Sequence, residues 1–262
     1  MPLTPPPETT GPGPVRPGGA RDTAGPDTAP IGHVPDAGLP GRPRLSHRQE
    51  DGALLASLLW EFGPGRRGIS SAMLGGGIGP VEWVLNAQVP GGYARMDPVE
   101  HLLEMAPPGR GVGMLTAASV GRFTRADDGG AHAVSTVGLR VPTWAAAPEG
   151  AADPELAPAH LPGTINIVVA VPVAMSDAAL VNAVMTVTEA KTQALVEEGF
   201  PCTGTASDAV CVVAAADGPE ELFGGPRSVW GARIARAVHR AVRQGARDWA
   251  GQGPSRAARR AR

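Results

Sequence analysis

Residues 163–195 read GTINIVVAVPVAMSDAALVNAVMTVTEAKTQAL, a strand pattern followed directly by a helix pattern. The segment 163–173 is the most strand-like run in the protein, because β-branched side chains are concentrated there. Ser176 and Asp177 then supply a helix start, and the helix is predicted to end near Gly199. A long strand that leads into a long helix favours an α/β or α+β domain.

The predicted helix carries Lys191, the only lysine among the 23 basic residues of the chain. It falls in the apolar stripe formed by Leu180, Val184, Val187 and Leu195, at the spacing of one helix face. Burial there would favour a neutral amine that can act as a base, which arginine cannot do in a protein. The alternative is a lysine whose stem packs on the stripe while its amine reaches solvent.

Further strands and helices are predicted on both sides of this unit. Apolar residues at 54–59 fit a short helix or a strand, residues 66–74 an extended segment, and residues 75–80 a glycine loop. Strands are predicted over 81–89, 111–118, 131–141 and 209–216. Helices are predicted after Asp97-Pro98, with Asp97 as N-cap, and from Gly231 to about Trp249. We therefore expect one α/β (or α+β) domain over residues 45–250, with a mixed β-sheet flanked by helices.

Composition separates the ends of the chain from this domain and excludes several classes of protein. Residues 1–44 are rich in Pro and Gly and are predicted to be a disordered tail, residues 142–162 a surface loop, and residues 251–262 a basic, frayed tail. The net charge of −2 and the aromatic content of 4% argue against nucleic-acid partners. The sequence shows neither a signal-peptide pattern nor an apolar run of membrane-spanning length. Two cysteines are too few for a disulfide framework, so we expect a cytoplasmic protein without membrane contacts.

Polar residues interrupt the apolar segments at four places, and these are candidates for a pocket. They are Ser70-Ser71, Thr116, the Thr164 and Asn166 region, and residues 203–208. Any one of them could instead cap a helix or satisfy a turn. The glycine loop could approach a large flat ligand closely, and it lacks the lysine of a phosphate-binding P-loop. Histidines 101, 132 and 160 show no paired spacing, so no protein-bound metal is expected.

Six of these segments, taken in order, resemble the adenosylcobinamide amidohydrolases of corrinoid salvage. They are SSAMLGGGIG (70–79), VLNAQV (84–89), GVGMLTAA (111–118), GTINIVV (163–169), TEAKTQAL (188–195) and TGTASDAV (203–210). The resemblance implies hydrolysis of the aminopropanol amide of adenosylcobinamide, which gives adenosylcobyric acid for cobalamin synthesis. The cobalt would enter only as part of the corrinoid substrate, and no cofactor would be needed. Two alternatives are a corrinoid-binding protein without catalysis and an amidase of the same fold that acts on another small amide.

Amide hydrolysis requires an activated nucleophile or water, donors for the oxyanion and a proton for the departing amine. Lys191 could be the base, and Thr203, Thr205 or Ser207 could supply the hydroxyl. Asp208 could activate water or orient the lysine, and the turn at Gly204 could supply backbone N–H donors. The residues expected to bind substrate are Ser70, Ser71, Gly75, Gly76, Gly77, Asn86, Thr116, Asn166 and, more weakly, Glu189. An oligomer is possible.

Overall fold

A computed structural model of the protein describes residues 41–149 and 163–252. The strands within these ranges are β1 Arg44–Glu50, β2 Ala53–Glu61, β3 Arg66–Ser70, β4 Gly77–Pro80, β5 Trp83–Gln88, β6 Gly111–Thr116, β7 Thr124–Asp128, β8 Ala131–Val137, β9 Ile165–Met175, β10 Ala209–Ala215 and β11 Glu220–Glu221. The helices are α1 Pro98–Met105, α2 Asp177–Glu197 and α3 Val229–Gly251. Most of the tail predicted over 1–44, residues 150–162 of the predicted surface loop and residues 253–262 lie outside the described ranges.

The strands form two mixed sheets. One contains β1, β2, β5 and β6 in that order, and only its β5–β6 pair is parallel. The other has the order β4-β3-β10-β9-β8-β7, with β9 and β10 parallel and β11 added beside the end of β9. The predicted α/β class with flanking helices is confirmed, and the strands divide into two sheets rather than the single sheet expected.

Three apolar clusters hold four layers together. Helices α2 and α3 cover one face of the larger sheet, where Ile167 and Val212 meet Leu180 and Ile234. The two sheets pack face to face through side chains that include Trp60, Met114, Val168 and Val213. Helix α1 covers the outer face of the smaller sheet through Leu102, which packs with Trp83 and Leu85. Successive residues of β9 face opposite sides, so a strand buried on both faces requires the continuous apolar run seen in the sequence.

Two local predictions need correction. The glycine loop predicted over 75–80 is partly a strand, since Gly77–Pro80 pairs with β3 at the edge of the larger sheet. Gly75 has φ 71°, and a Cβ there would lie 2.1 Å from the carbonyl oxygen of Gly111. This glycine is therefore required by close chain packing. Asp97 precedes α1 as predicted, but its carboxylate accepts hydrogen bonds from Arg95 and does not cap the helix.

Strand directions bring the polar segments to one end of the molecule. The last residues of β8 pair with the first residues of β9, with Val137 opposite Ile165. Near the end of β5, Asn86 accepts a hydrogen bond across the sheets from Asn166, at the start of β9. The ends of β5, β6 and β8 and the beginnings of β9 and β10 therefore lie together. The segment that precedes β10 contains Thr203, Thr205 and Asp208.

Candidate active site

Lys191 lies on the buried face of α2 and pairs with Asp208. Helix α2 starts where the Ser176 side chain accepts a hydrogen bond from the N–H of Ala179, as predicted. The Lys191 Nζ atom is 2.5 Å from Asp208 Oδ2, and the two side chains are 8% and 10% exposed. The alternative in which the amine reaches solvent is therefore wrong. The position of Lys191 in an apolar stripe is confirmed, and its ammonium is neutralised by a buried carboxylate.

Asp208 is the acceptor that organises the cluster. Besides Lys191, its carboxylate accepts hydrogen bonds from the N–H of Ile165 at 2.9 Å and the N–H of Thr205 at 3.1 Å. It also accepts a bond of 2.5 Å from the hydroxyl of Thr205. The four donors are shared between the two carboxylate oxygens, each of which accepts two hydrogen bonds. Asp208 thus ties the start of β9, the turn before β10 and helix α2 together.

Gly204 provides the space for this pair. A Cβ at this position would lie 2.2 Å from Asp208 Oδ2 and 2.5 Å from Lys191 Nζ. The residue also has φ 155°, which side chains rarely adopt. The N–H of Thr205 in the same turn donates to Asp208 at 3.1 Å, so in this structure that backbone donor is not available to an oxyanion.

The three candidate hydroxyls differ in their partners. Thr203 Oγ1 donates to the carbonyl oxygen of Thr143 at 3.2 Å and accepts from the N–H of Ala145 at 2.8 Å, so its bonds fix the chain. Ser207 is exposed and shares a hydrogen bond of 2.9 Å with Thr164. Thr205 is half-buried and is the one of the three whose hydroxyl is bonded to the carboxylate of the ion pair.

A segment we call the strap, residues 138–145, follows β8 and crosses this site. Its Gly138 N–H donates to the carbonyl oxygen of Thr164 at 3.0 Å. Its Thr143 N–H donates to the carbonyl oxygen of Gly204 at 2.8 Å, and the carbonyl oxygen of Thr143 accepts from the N–H of Thr203 at 3.0 Å. The sequence did not reveal the strap, because its contacts join segments about 60 residues apart through backbone groups, which any residue possesses.

Ser70, Ser71 and Thr116 are occupied by structural hydrogen bonds. Ser70 Oγ donates to the carbonyl oxygen of Val210 and accepts from the N–H of Ala72, and Ser71 Oγ accepts from the N–H of Val210. Thr116 Oγ1 accepts from the N–H of Ala118. Each of these side chains satisfies backbone groups at a strand end, which is the alternative that the sequence left open.

Asn86 and Asn166 lie between the two sheets, where they are 5% and 2% exposed. Asn166 donates through Nδ2 to Asn86 Oδ1 at 2.9 Å and to the carbonyl oxygen of Leu115 at 3.1 Å. Asn86 donates in turn to Thr136 at 3.0 Å. Within the described ranges, Asn166 Oδ1 is buried without a hydrogen-bond partner. The two amides join the sheets, and this structure keeps them below the surface that a corrinoid could contact.

The other predicted substrate-binding residues lie apart from the ion pair. Gly75 and Gly76 lie in the turn between β3 and β4, and Gly77 is the first residue of β4. A Cβ on Gly76 would lie 2.4 Å from the carbonyl oxygen of Ala72. Glu189 is exposed and faces a groove between α2 and α3 that His239 also lines. The prediction that Glu189 points away from Lys191 agrees with this placement.

The histidines and cysteines form separate environments. Among the described residues, no three His, Cys, Asp or Glu side chains are grouped as metal ligands. His101, which the sequence left without a partner, is buried and bonded to both Tyr93 and Glu50, while His132 pairs with Asp127. His160 lies outside the described ranges. Both cysteines are buried free thiols, and burial raises the pKa of Cys211 to about 12.

Comparison with known proteins supports a relationship over most of the chain. A family model described as adenosylcobinamide amidohydrolase matches residues 42–254. A protein of that name from Methanosarcina mazei is 29% identical over 188 residues, which span 67% of this chain and 88% of that protein. Another of the same name, from Halobacterium salinarum, is 42% identical over 83 residues, or 31% of this chain and 35% of that protein.

Proposed function

The chain belongs to the adenosylcobinamide amidohydrolase family, and we propose that its Lys191, Asp208 and Thr205 side chains hydrolyse the substrate amide. It is an amidohydrolase, and its family assigns it adenosylcobinamide as substrate. Hydrolysis of the aminopropanol amide gives adenosylcobyric acid and aminopropanol, so that an incomplete corrinoid re-enters cobalamin synthesis. The observation that carries the assignment of the site is the buried ion pair of the chain's single lysine with Asp208.

Thr205 is the proposed nucleophile. Its hydroxyl already donates to Asp208 Oδ1, so the proton can pass to the carboxylate as Oγ1 attacks the carbonyl carbon. Thr203 has no carboxylate partner in the described structure, and its hydroxyl bonds to backbone groups on the strap. The contacts of Thr205 therefore favour a covalent ester intermediate over direct attack by water.

Lys191 is proposed as the proton donor to the departing amine. Its Nζ donates a hydrogen bond to the Asp208 carboxylate 2.5 Å away, and this contact favours the role of proton donor over the free base considered from the sequence. When the C–N bond breaks, the amine nitrogen takes a proton from Nζ. The proton held by Asp208 then returns to Nζ across their hydrogen bond and restores the ion pair.

Water completes the reaction by attacking the ester carbon. Asp208 accepts a proton from the water as the new C–O bond forms, and Lys191 returns a proton to Thr205 Oγ1 as the ester bond breaks. Transfer between Asp208 and Lys191 then restores the starting state. The products are the corrinoid acid and the free side chain of the enzyme.

Substitution of Thr205 tests this mechanism, with Thr203 as the matched control. Thr205→Ala is expected to reduce kcat by at least about 100-fold, the usual scale for loss of an acid–base or nucleophilic group, whereas Thr203→Ala retains most activity. Thr205→Ser, which keeps the hydroxyl, is expected to retain measurable turnover. Intact-protein mass spectrometry of rapidly quenched reactions should detect the acyl-enzyme. Normal turnover by Thr205→Ala would contradict the covalent mechanism and leave water as the nucleophile.

We further propose that the reaction needs no protein-bound metal or cofactor, the cobalt being part of the substrate. The supporting observation is the donor set at the site, an ammonium, a carboxylate and a hydroxyl, which suffices for acid–base chemistry. Unchanged turnover after chelator treatment of the purified protein is the expected result.

We also propose a cytoplasmic location without nucleic-acid partners, supported by the near-neutral charge and two unpaired thiols. Within the described ranges, no helix is long and apolar enough to cross a membrane.

A further inference from the structure

A pocket that the proposed mechanism does not use lies against the strap. Its walls come from the segment after β6, from the strap and from the end of α3, including Ala118, Gly138, Gly245 and Trp249. A Cβ on Gly138 would lie 2.8 Å from the Ala118 side chain, and a Cβ on Gly245 would lie 2.6 Å from Val137. The glycines thus allow close packing of the elements that form this strap pocket.

Arg140 is the available cation of the strap pocket. Arg122, which also lines it, forms two hydrogen bonds with the carboxylate of Asp248, at 2.8 and 2.5 Å. In contrast, the Arg140 side chain is exposed and makes no ion pair or hydrogen bond with any residue in ranges 41–149 and 163–252. The guanidinium therefore offers its N–H donors to a ligand in the pocket.

The strap pocket and the turn that contains Thr205 and Ser207 lie near each other at one end of the larger sheet. Ser207 lies just before β10, Thr164 just before β9 and Gly138 just after β8, and these three strands are adjacent. Two strand spacings separate Ser207 from Gly138, roughly 10 Å. Continuous hydrogen bonds join them, from Ser207 to Thr164 and from Gly138 to Thr164. A ligand larger than one amide side chain can therefore reach both places.

We propose that the strap pocket binds a second carboxamide side chain of the corrinoid ring, through the guanidinium of Arg140. The proposal rests on the proposed function, since it assumes a corrinoid whose scissile amide lies at Thr205. A carboxamide oxygen accepts two hydrogen bonds, which suits the fork of donors on an arginine. Trp249 and Val137 provide apolar surface for the methylene groups of that side chain. Arg140 thus selects substrates that carry a carboxamide beside the scissile amide.

Binding of adenosylcobyric acid to the full chain tests the pocket without turnover, because this product keeps the other carboxamides. The corrinoid absorbs light and is expected to quench the fluorescence of Trp249, and Trp249→Phe identifies the signal of this residue. Arg140→Gln should weaken binding about tenfold or more, the scale of a lost hydrogen bond to a charged group. Arg140→Lys should lose part of the affinity, because lysine lacks the fork. Arg110→Gln, at the opposite end of β6, is the matched control.

Steady-state kinetics with adenosylcobinamide separate this proposal from the proposed function. Arg140→Gln should raise KM by a similar factor and leave kcat unchanged, because Arg140 is placed as a binding residue. Normal hydrolysis with the same Kd and KM in Arg140→Gln and wild type would overturn the pocket assignment alone. Binding that depends on Arg140, without hydrolysis by the wild-type chain, would support the pocket and contradict the proposed chemistry.

Discussion

Breaking the Lys191–Asp208 pair should destabilise the folded protein and not merely slow the reaction. Lys191→Met removes the cation and leaves Asp208, which is 10% exposed, as a buried carboxylate without a countercharge. Removal of one partner from a buried ion pair costs about 3–5 kcal/mol of unfolding free energy. Asp208 retains hydrogen bonds from Ile165 and Thr205, so we expect a loss of about 3 kcal/mol, the lower end of this range.

A double-mutant cycle measured by urea denaturation isolates this interaction. With a slope of about 2 kcal/mol per M urea, Lys191→Met should lower the midpoint by about 1.5 M. Asp208→Asn alone should also destabilise, because it leaves a buried ammonium without a countercharge. The double variant removes both charges and should be no less stable than either single variant. A parallel cycle on the more exposed Arg122–Asp248 pair should show a much smaller coupling. Strictly additive losses at Lys191 and Asp208 would refute the view that the pair acts as one unit.

Two further predictions concern Gly204 and Cys211. Gly204→Ala should abolish most turnover while the fold is retained, because the added Cβ would lie 2.2 Å from Asp208 Oδ2 and displace the ion pair. Circular dichroism would check the fold and steady-state kinetics the turnover. A kcat equal to that of the wild type would contradict this prediction. Cys211 should resist thiol reagents at pH 8 in the folded chain and react after unfolding, because burial raises its pKa from 9.0 to about 12. The raised pKa stabilises the folded state fully below pH 9.0, and this contribution is lost as pH rises towards about 12. Rapid labelling of Cys211 in folded protein would show that the thiol is accessible.

Local sequence patterns predicted those strands and helices that are specified by the residues within them. The β-branched run of β9, the Ser176 cap and the apolar stripe of α2 were each readable, because strand and helix periodicities differ and caps use few residue types. Strands β1 and β7 were not predicted. Their sequences, RLSHRQE and TRADD, are largely polar and lie at sheet edges, where pairing with a neighbour supplies the order.

The site was only partly predictable for a related reason. Lys191 stood out by composition, and Asp208 by its place in a polar turn, but their pairing depends on how α2 packs beside β10. Asn86 and Asn166 were expected to bind substrate, but the structure buries both side chains between the two sheets, where they are bonded to each other. A side chain that joins two layers and one that contacts a ligand are the same in sequence, and only the packing distinguishes them.

In the proposed mechanism, Lys191 transfers a proton during hydrolysis of adenosylcobinamide. Lys191→Arg keeps a cation opposite Asp208 but cannot release a proton at neutral pH. Mass spectrometry of reactions containing adenosylcobinamide should show adenosylcobyric acid formed by the wild-type chain. The variant should bind the substrate yet form product at least about 100-fold more slowly. Near-normal product formation by Lys191→Arg would contradict proton transfer by Lys191.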